Sequence, residues 1–403
     1  MIPEQWDTLP FHEVLRKSPA KNFQVQTTEY QASGSFPVVD QGQESVVGYS
    51  DRSDRVFRVP QGGVVVFGDH TCIVKHVKHD FIVGADGTQI LSAREGQMAA
   101  FHALALSMRP VESTGYNRHF KFLKERIFQA PPLPEQKAIV EALSDVDASI
   151  AALSRLIAKK RDLRQGAMQR LLTGQTRLPG FTAAWEEKRL GDHVAFLKNG
   201  IQSRAQLTLD DPVRYLHYGD IHVSADLCLD LSNADMPRLP SSAAAGLTRL
   251  QDGDVVFVDA SEDLNGVGKS LEIVGANGIE AVSGQHTIAA RFDKSVLGDG
   301  FKRYLQFIPA FTTHLRRLAA GTKVYATNRK HIASAELRLP ETDEQIAIAR
   351  VLSDMELEIS ALELRLNKTR ALKQAMMQAL LTGRVRLPVR RDAAPQTKEA
   401  AHA

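Results

Sequence analysis

Hydrophobic residues follow the same heptad pattern in two long stretches of the chain. In the first stretch they lie at Ile139, Leu143, Val146, Ile150, Leu153 and Ile157, and in the second at Ile348, Leu352, Met355, Ile359, Leu362 and Leu366. The alternating steps of four and three residues are those of the a and d positions of a coiled coil. The pattern predicts two long helices, each with an apolar seam that needs a partner.

The two stretches are copies of one another. Residues 135–179 return as residues 344–388 without a gap, and about half of the aligned positions are identical. The landmarks are Glu-Gln at 135 and 344, Leu-Ser-Asp at 143 and 352, and Leu-Leu-Thr-Gly at 171 and 380. Such regularity indicates an internal repeat, which favours pairing of the two helices with each other. The alternative is two separate bundle helices, each buried in its own domain.

Acidic side chains come early in each predicted helix and basic side chains come late. The first helix has Asp145 and Asp147 before Lys160 and Arg164, and the second helix repeats this order. Antiparallel pairing sets the acidic half of one helix beside the basic half of the other, whereas parallel pairing sets like charges together. We therefore predict an antiparallel coiled coil with pseudo-twofold symmetry.

A globular region precedes each helix. In the first region, short β-prone runs at 36–39, 56–59, 64–67, 72–74 and 81–83 are separated by turns rich in Gly and Asp. The second region echoes it, because Gly253–Asp259 repeats the Gly, Val-Val-Phe and Asp skeleton of Gly63–Asp69. The sequence predicts an α+β fold with two β-rich domains. Its segments are a first globular domain at 1–130, a first helical region at 131–180, a second globular domain at 181–337, a second helical region at 338–388 and a disordered tail at 389–403.

Composition and motifs argue against several classes of site. The net charge of +3 permits nucleic-acid binding without requiring it. Cys72 and Cys228 are isolated, which indicates free thiols in a reducing cytoplasm rather than a disulfide or a zinc site. The sequence Gly268-Lys269-Ser270 lacks the earlier glycine of a phosphate-binding loop, since that position is Asp263. We predict no catalytic residue and no metal site in this chain.

Jointly, these motifs resemble the DNA-specificity subunit of type I restriction–modification enzymes over essentially the whole chain. The resemblance rests on the Glu-Gln, Leu-Ser-Asp and Leu-Leu-Thr-Gly landmarks, and on Pro37–Gly42, Phe67–Thr71 and Val83–Gly87 in the first domain. It implies two target-recognition domains, each of which reads one half of a split DNA site. It also implies two methyltransferase (modification) subunits that carry S-adenosylmethionine, and two ATP-driven restriction subunits with Mg. No cofactor is expected in this chain.

DNA recognition requires amide, guanidinium and amine groups on loops that enter the major groove. The candidates in the first domain are Gln41, Gln43, Ser45, Tyr49, Arg52, Lys75, His76, Lys78, Arg118 and His119. Those in the second domain are Lys198, Asn199, Gln202, Arg204, Lys269, Lys323, Tyr325, Asn328 and Arg329. The alternative for each of them is an ordinary surface residue. A different function, that of a scaffold whose two heads bind protein and no DNA, remains open.

Apolar residues also continue beyond the last heptad of each helix. They are Leu163, Met168, Leu171 and Leu172, with the counterparts Leu372, Met377, Leu380 and Leu381. We predict that these helix ends form two equivalent docking sites for modification subunits. The alternative is that they pack against the neighbouring globular domain.

Overall fold

The fold was analysed in a computed structural model that describes residues 6–115, 117–319, 321 and 324–388. The predicted tail at 389–403 and the candidate Lys323 lie outside the described residues. The chain divides into two compact units, residues 1–155 with 364–403 and residues 156–363. Within the described part, none of the helices is long and apolar enough to cross a membrane.

The first unit contains ten strands and three short helices ahead of the first long helix, counted over its described residues. The strands are β1 (Asp7–Pro10), β2 (Leu15–Ser18), β3 (Phe36–Val39), β4 (Gly48–Ser50), β5 (Val56–Phe57), β6 (Val64–Gly68), β7 (Val74–Val77), β8 (Phe81–Val83), β9 (Thr88–Ala93) and β10 (Ile127–Ala130). The helices are α1 (Phe11–Val14), α2 (Ala99–Met108), α3 (Phe120–Lys124) and the long α4 (Leu133–Leu171). All five β-prone runs of the sequence overlap strands, which confirms the β-rich first domain.

These strands form two four-stranded sheets and one two-stranded sheet. Their orders are β2-β9-β6-β7, β4-β3-β8-β5 and β1-β10. Within the second sheet β3 and β8 run parallel, with Val39 opposite Val83, while their other partners run antiparallel. The central β6 is buried at every position because it is covered on both faces. One core packs Phe67 and Leu91 against Ala103 of α2.

The second unit repeats this plan with more strands. They are β11 (Glu186–Arg189), β12 (Val194–Phe196), β13 (Val213–Leu216), β14 (Cys228–Asp230), β15 (Arg238–Leu239), β16 (Val255–Val258), β17 (Ala260–Ser261), β18 (Ser270–Val274), β19 (Ala281–Ser283), β20 (Thr287–Phe292), β21 (Tyr325–Ala326) and β22 (Glu336–Leu339). The helices are α5 (Tyr218–Val223), α6 (Ser241–Ala244), α7 (Pro309–Leu318), α8 (Arg329–Ala333) and the long α9 (Thr342–Leu380). The second domain is therefore β-rich as well.

The sheets of the second unit match those of the first. The five-stranded sheet has the order β12-β20-β16-β18-β14, and a three-stranded sheet has the order β15-β13-β19. The strands β13 and β19 run parallel, as β3 and β8 do, with Leu216 opposite Ser283. The sequence echo of Gly63–Asp69 and Gly253–Asp259 falls on the central strands β6 and β16. The two domains thus share one framework, although their sequences diverge.

Both long helices are 39 residues long and begin and end at matching positions of the repeat. At about 1.5 Å per residue each spans roughly 58 Å. Their a and d side chains are buried or half-buried, with Leu143 and Leu352 fully enclosed. The heptad pattern therefore predicted both helices correctly.

Charged contacts show that the helices pair antiparallel in each unit. In the first unit Lys373 on α9 lies 2.6 Å from Asp147 on α4. In the second unit Lys160 lies 2.6 Å from Glu358, and Arg164 lies 3.4 Å from Glu356. Residue numbers rise on one helix as they fall on the other, which confirms the direction inferred from charge. The pseudo-twofold relation stays a prediction.

A buried carboxylate at the start of each long helix binds an arginine beyond the end of the other helix. In the second unit Arg177 donates from Nε and Nη2 to the two oxygens of Glu344, both at 2.6 Å. In the first unit Arg386 makes the equivalent pair with Glu135, with its Nη2 donating at 2.6 Å. Both carboxylates are 2% exposed and so are shielded from water, while Arg177 and Arg386 are 27% and 35% exposed. We call these two pairs the helix-end clamps.

The glutamine that follows each of these glutamates fixes the helix start to its own unit. Gln136 accepts from the backbone N–H of Met98 at 2.8 Å and donates to the carbonyl of Pro131. Gln345 accepts from the N–H of Gly298 at 2.9 Å and donates to the carbonyl of Pro340. The repeated Glu-Gln dipeptide therefore has a structural explanation. The glutamate binds the arginine beyond the other helix, and the glutamine binds the backbone of its own unit.

We expect Arg177→Met to destabilise the second unit by about 3 kcal/mol, because it leaves Glu344 buried without its cation. The double variant Arg177→Met with Glu344→Leu should recover more than half of the loss, since both charges are then removed. Urea unfolding monitored by circular dichroism measures these differences. The matched control is Arg58→Met, whose side chain is 72% exposed beside Asp80 and should change stability by less than about 1 kcal/mol. Equal losses for Arg177→Met and Arg58→Met would contradict the clamp.

Candidate nucleic-acid interface

Polar loops gather at one edge of the parallel strand pair in each domain. Because the carboxyl ends of parallel strands meet at the same edge, the loops that follow β3 and β8 are neighbours, as are those that follow β13 and β19. We define the first loop surface as residues 40–45, 69–73, 84–87 and 117–119. The second loop surface is residues 198–206, 217–223, 259–266, 284–286 and 324–328.

The same backbone hydrogen bonds hold both loop surfaces together. In the first, the N–H of Asp69 donates to the carbonyl of Gly87 at 2.7 Å, and the N–H of His119 donates to the carbonyl of Asp69 at 2.7 Å. In the second, the N–H of Asp259 donates to the carbonyl of His286 at 3.2 Å, and the N–H of Thr327 donates to the carbonyl of Asp259 at 2.7 Å. These hydrogen bonds are shared, while the loop lengths and the side chains differ between the two surfaces.

Four candidates of the first domain lie on the first loop surface with side chains at least partly accessible. They are Gln41, Gln43, Ser45 and Arg118. Arg118 is the most prominent, with a side chain that is 73% exposed and a distance of 3.9 Å to Asp69. A guanidinium that projects this far from a loop can reach a phosphate or a base edge.

Two other candidates of the first domain stabilise the loops from within. His119 is fully buried, where Nδ1 lies 2.9 Å from the carbonyl of Asp69 and Nε2 accepts from the N–H of Thr114. Lys75 donates to the carbonyls of Asp40 and Glu44, and desolvation lowers its pKa. The expectation that His119 contacts DNA is corrected, because its ring is enclosed in the domain. The assignment of Lys75 stays a prediction, although its ammonium group binds two carbonyls.

The remaining candidates of the first domain lie away from this edge. Ser50 pairs with Phe36 at the amino end of β3, and Val77 pairs with Val64 at the amino end of β6. Arg52 and Lys78 follow these residues, so they lie at the ends of the sheets opposite to the first loop surface. Arg52 is also paired with Asp54 and Glu29. His76 lies 3.0 Å from the carbonyl of Gly62 at that opposite end, and desolvation lowers its pKa. Tyr49 is 37% exposed in the middle of β4.

In the second domain Lys198, Asn199, Gln202 and Arg204 lie together on the first segment of the second loop surface. Lys198 is exposed, while Asn199 donates to the carbonyl of Gly284 at 3.2 Å. Arg329 joins them by donating to Asn199 at 3.0 Å and to the carbonyl of Leu197 at 2.8 Å. Arg204 is 56% exposed and pairs with Asp220 at 2.7 Å. This set presents amide and cationic groups on one surface.

Three further candidates of the second domain have structural partners. Lys269 donates to the carbonyls of His222 at 2.6 Å and Ser224 at 2.9 Å, and desolvation lowers its pKa. Tyr325 packs against the domain core, and Asn328 caps α8 by accepting from the N–H of His331. Lys269 therefore fixes α5 to β18, and its assignment as a DNA contact stays a prediction.

The sequence analysis missed a ring cluster on the second loop surface. Tyr218 lies 4.4 Å from His217, 6.0 Å from His222 and 5.4 Å from His286, measured between ring centroids. The signal was present in the run from His217 to His222 directly after a β-prone segment. It was overlooked because the fourth ring, His286, comes from a separate loop that is distant in sequence. Among the described residues, no three His, Cys, Asp or Glu side chains are arranged to hold a metal ion.

The predicted docking residues separate into a buried set and an exposed pair. Met168, Leu171 and Leu172 belong to the core of the second unit, while Leu380 and Leu381 are buried and Met377 half-buried in the first. These six pack on the neighbouring globular domain, which was the alternative. Leu163 and Leu372, which are equivalent in the repeat, are 48% and 54% exposed. These two leucines are the exposed members of the predicted docking set, and their role in docking stays a prediction.

Comparison with known proteins agrees with the resemblance seen in the sequence. No protein-family model matches the chain. The chain is 22% identical over 315 residues to the specificity subunit of the type I restriction enzyme MjaVIII from Methanocaldococcus jannaschii, covering 71% of this chain and 70% of that protein. The similarity to a specificity subunit of this class is thereby confirmed.

Solved structures extend this likeness to nearly the whole chain. The S subunit of the type I restriction–modification system from M. genitalium aligns with a TM-score of 0.58 at 13% identity, covering 93% of this chain and 96% of that one. The HsdS subunit from Thermoanaerobacter tengcongensis aligns with a TM-score of 0.50 at 18% identity, covering 95% and 98%. A chain from a type I restriction–modification assembly aligns with a TM-score of 0.55 at 16% identity, covering 96% and 100%. The chain has the fold of these S subunits.

Proposed function

We propose that this chain is the DNA-specificity subunit of a type I restriction–modification complex and reads a bipartite target, with one half-site for each globular domain. The observation that carries the proposal is the pair of loop surfaces. They stand on the same hydrogen-bonded framework but present different side chains. Two loop surfaces with different side chains would recognise two different short sequences, because contacts to bases rather than to the DNA backbone specify sequence.

The proposal gives the chain a binding role and leaves the chemistry to its partners. Two modification subunits would supply S-adenosylmethionine and methylate the target, and two restriction subunits would supply the ATP-driven, Mg-dependent step. The chain would direct that chemistry by placing its partners on a chosen sequence. Its loop surfaces carry Arg118 and Lys198, whose exposed cationic groups suit phosphate contacts. The complex would act in the cytoplasm, where the host DNA lies.

We expect Arg118→Ala to weaken duplex binding by the complex of this chain with a modification subunit. Removing one phosphate contact should reduce the slope of log affinity against log salt by about 1. Fluorescence anisotropy with a labelled random-sequence duplex, titrated at several salt concentrations, measures the slope. The matched control is Arg58→Ala, which has the same exposure but lies at the opposite edge of the domain and should leave the slope unchanged.

Measuring duplex binding by the wild-type complex separates DNA recognition from the scaffold alternative. Binding that weakens steeply with salt supports the proposed function. A complex that assembles with the modification subunit but does not bind duplex DNA at low salt would contradict it and favour a protein-binding scaffold. Equal slopes of log affinity against log salt for the two arginine variants would show that Arg118 does not contact DNA. That result would not contradict the proposed function.

The exposed leucines at equivalent positions provide a test of partner docking. We expect Leu163→Asp and Leu372→Asp each to abolish binding of one modification subunit, because a carboxylate cannot be buried in an apolar contact. Native mass spectrometry should then count one modification subunit for either single variant and none for the double variant. The control is Leu209→Asp, which changes a leucine of the second globular domain that is 66% exposed and lies outside the long helices. Two bound subunits in the double variant would contradict the assignment.

A further inference from the structure

The second loop surface contains an open cavity of about 470 Å³ beside the ring cluster. Its lining includes Tyr218, His222, Ser261, Glu262, Asp263 and His286. These residues come from the loops after β13, β16 and β19, so the cavity lies at the edge where the polar loops gather. It therefore opens on the surface that we assign to DNA.

Hydrogen bonds fix the walls of this cavity. His222 Nε2 lies 3.0 Å from the carbonyl of Ala260, and His286 Nδ1 lies 3.3 Å from Oδ1 of Asp259. Both imidazoles stand nearly perpendicular to the ring of Tyr218, which is 36% exposed. Because the rings are held in place beforehand, a ligand would enter without ordering them, which reduces the entropy lost on binding.

The backbone of His286 also points to a special role. Its φ is 56°, in the left-handed region that side chains other than glycine rarely adopt. The equivalent position of the first domain, directly before β9, is Gly87 with a φ of 91°. Both domains thus have this left-handed conformation at the equivalent position, and in the second domain it is strained because the residue is a histidine.

In the first domain the side chain of Gln41 occupies the region that corresponds to this cavity. Gln41 follows β3 at the position that Tyr218 takes after β13, and its amide donates to the carbonyl of Asp86 at 2.8 Å. Its Oε1 accepts from the N–H of His70 at 3.0 Å. A Cβ on Gly87 would lie 2.7 Å from this amide, so a side chain there, such as that of His286, would require Gln41 to move. The second domain departs from this arrangement by opening a cavity.

The chemistry of the lining selects the group that it would take. Carboxylates repel phosphates, so an exposed Glu262 on a DNA-binding surface is favourable only where it meets a hydrogen-bond donor. In the major groove the donors are the exocyclic amino groups, N4 of cytosine and N6 of adenine, and carboxylates most often accept from cytosine N4. The exposed ring of Tyr218 adds an apolar surface for the edge of the same base.

We infer that this cavity reads one base of the second half-site through its exocyclic amino group, with Glu262 as the acceptor and Tyr218 as the packing surface. The inference rests on the proposed function, which it deepens by assigning a specificity determinant. It predicts that the discrimination that depends on Glu262 is confined to one position of the half-site read by the second domain.

The test compares Glu262→Gln with the wild type in complex with a modification subunit. Duplexes selected from a random library are sequenced, and discrimination is measured at each position. We expect Glu262→Gln to reduce discrimination at a single position of one half-site by roughly 10-fold or more, because a good contact to a base edge contributes about 1–3 kcal/mol of discrimination. Tyr218→Ala should affect the same position, and the other half-site should not change.

The control is Glu280→Gln, which makes the same substitution just before β19, at the opposite end of that strand. It should leave every position unchanged. If the wild type selects a bipartite sequence and Glu262→Gln selects the same sequence with equal discrimination, the inference is overturned while the proposed function stands. If the wild type selects no sequence at all, the proposed function fails first. Loss of discrimination spread over both half-sites would also overturn the inference.

Discussion

The helix-end clamps are the constraint on which the remaining architecture depends. Each clamp buries a glutamate carboxylate against an arginine that lies about 250 or 170 residues away in the chain. A buried carboxylate without its cation is strongly unfavourable, so the helix start is stable only when the segment beyond the other helix is in place. The hydrogen bonds of the neighbouring glutamines then attach each globular domain to the same junction. Helix pairing and domain attachment are therefore coupled at these points.

This coupling separates the parts of the chain that must stay alike from those that are free to differ. The clamps, the helix seams and the central strands β6 and β16 repeat from one half to the other, because they carry the fold. The loops at the carboxyl ends of the parallel strands do not repeat. Gln41 occupies the position where the second domain has Tyr218, and Gly87 the position where it has His286. Side chains can change there because backbone hydrogen bonds hold the loops.

The elements that repeat could be predicted from the sequence, and the reasons are physical. Both long helices were predicted because apolar residues at alternating steps of four and three are typical of a coiled-coil helix and not of a loop. Their antiparallel direction followed from charge, as the contacts of Asp147 with Lys373 and of Lys160 with Glu358 show. The central strand β6 was found because it is apolar throughout. Which strands pair, and in which register, could not be predicted from the sequence, since strand pairing depends on contacts between distant residues.

The candidate site was harder to predict, because residue type does not reveal burial. His119 and Lys269 have side chains typical of DNA contacts, yet one is enclosed in the core and the other binds two carbonyls. Arg118, next to His119 in sequence, is exposed. Tyr218 and His286 were overlooked for the opposite reason, since they are distant in sequence and meet only in the folded domain. Only the arrangement of the loops separates these cases.

The central claim is that each globular domain reads its own half of a split target. The most direct measurement is a domain exchange, in which residues 181–337 are replaced by the corresponding domain of another specificity subunit of known target. Sequencing of the methylated DNA in cells that carry the hybrid complex gives its motif. The account predicts that one half-site is replaced by that of the donor while the other half-site stays as in the parent. A hybrid whose two half-sites both change, or both stay, would contradict it.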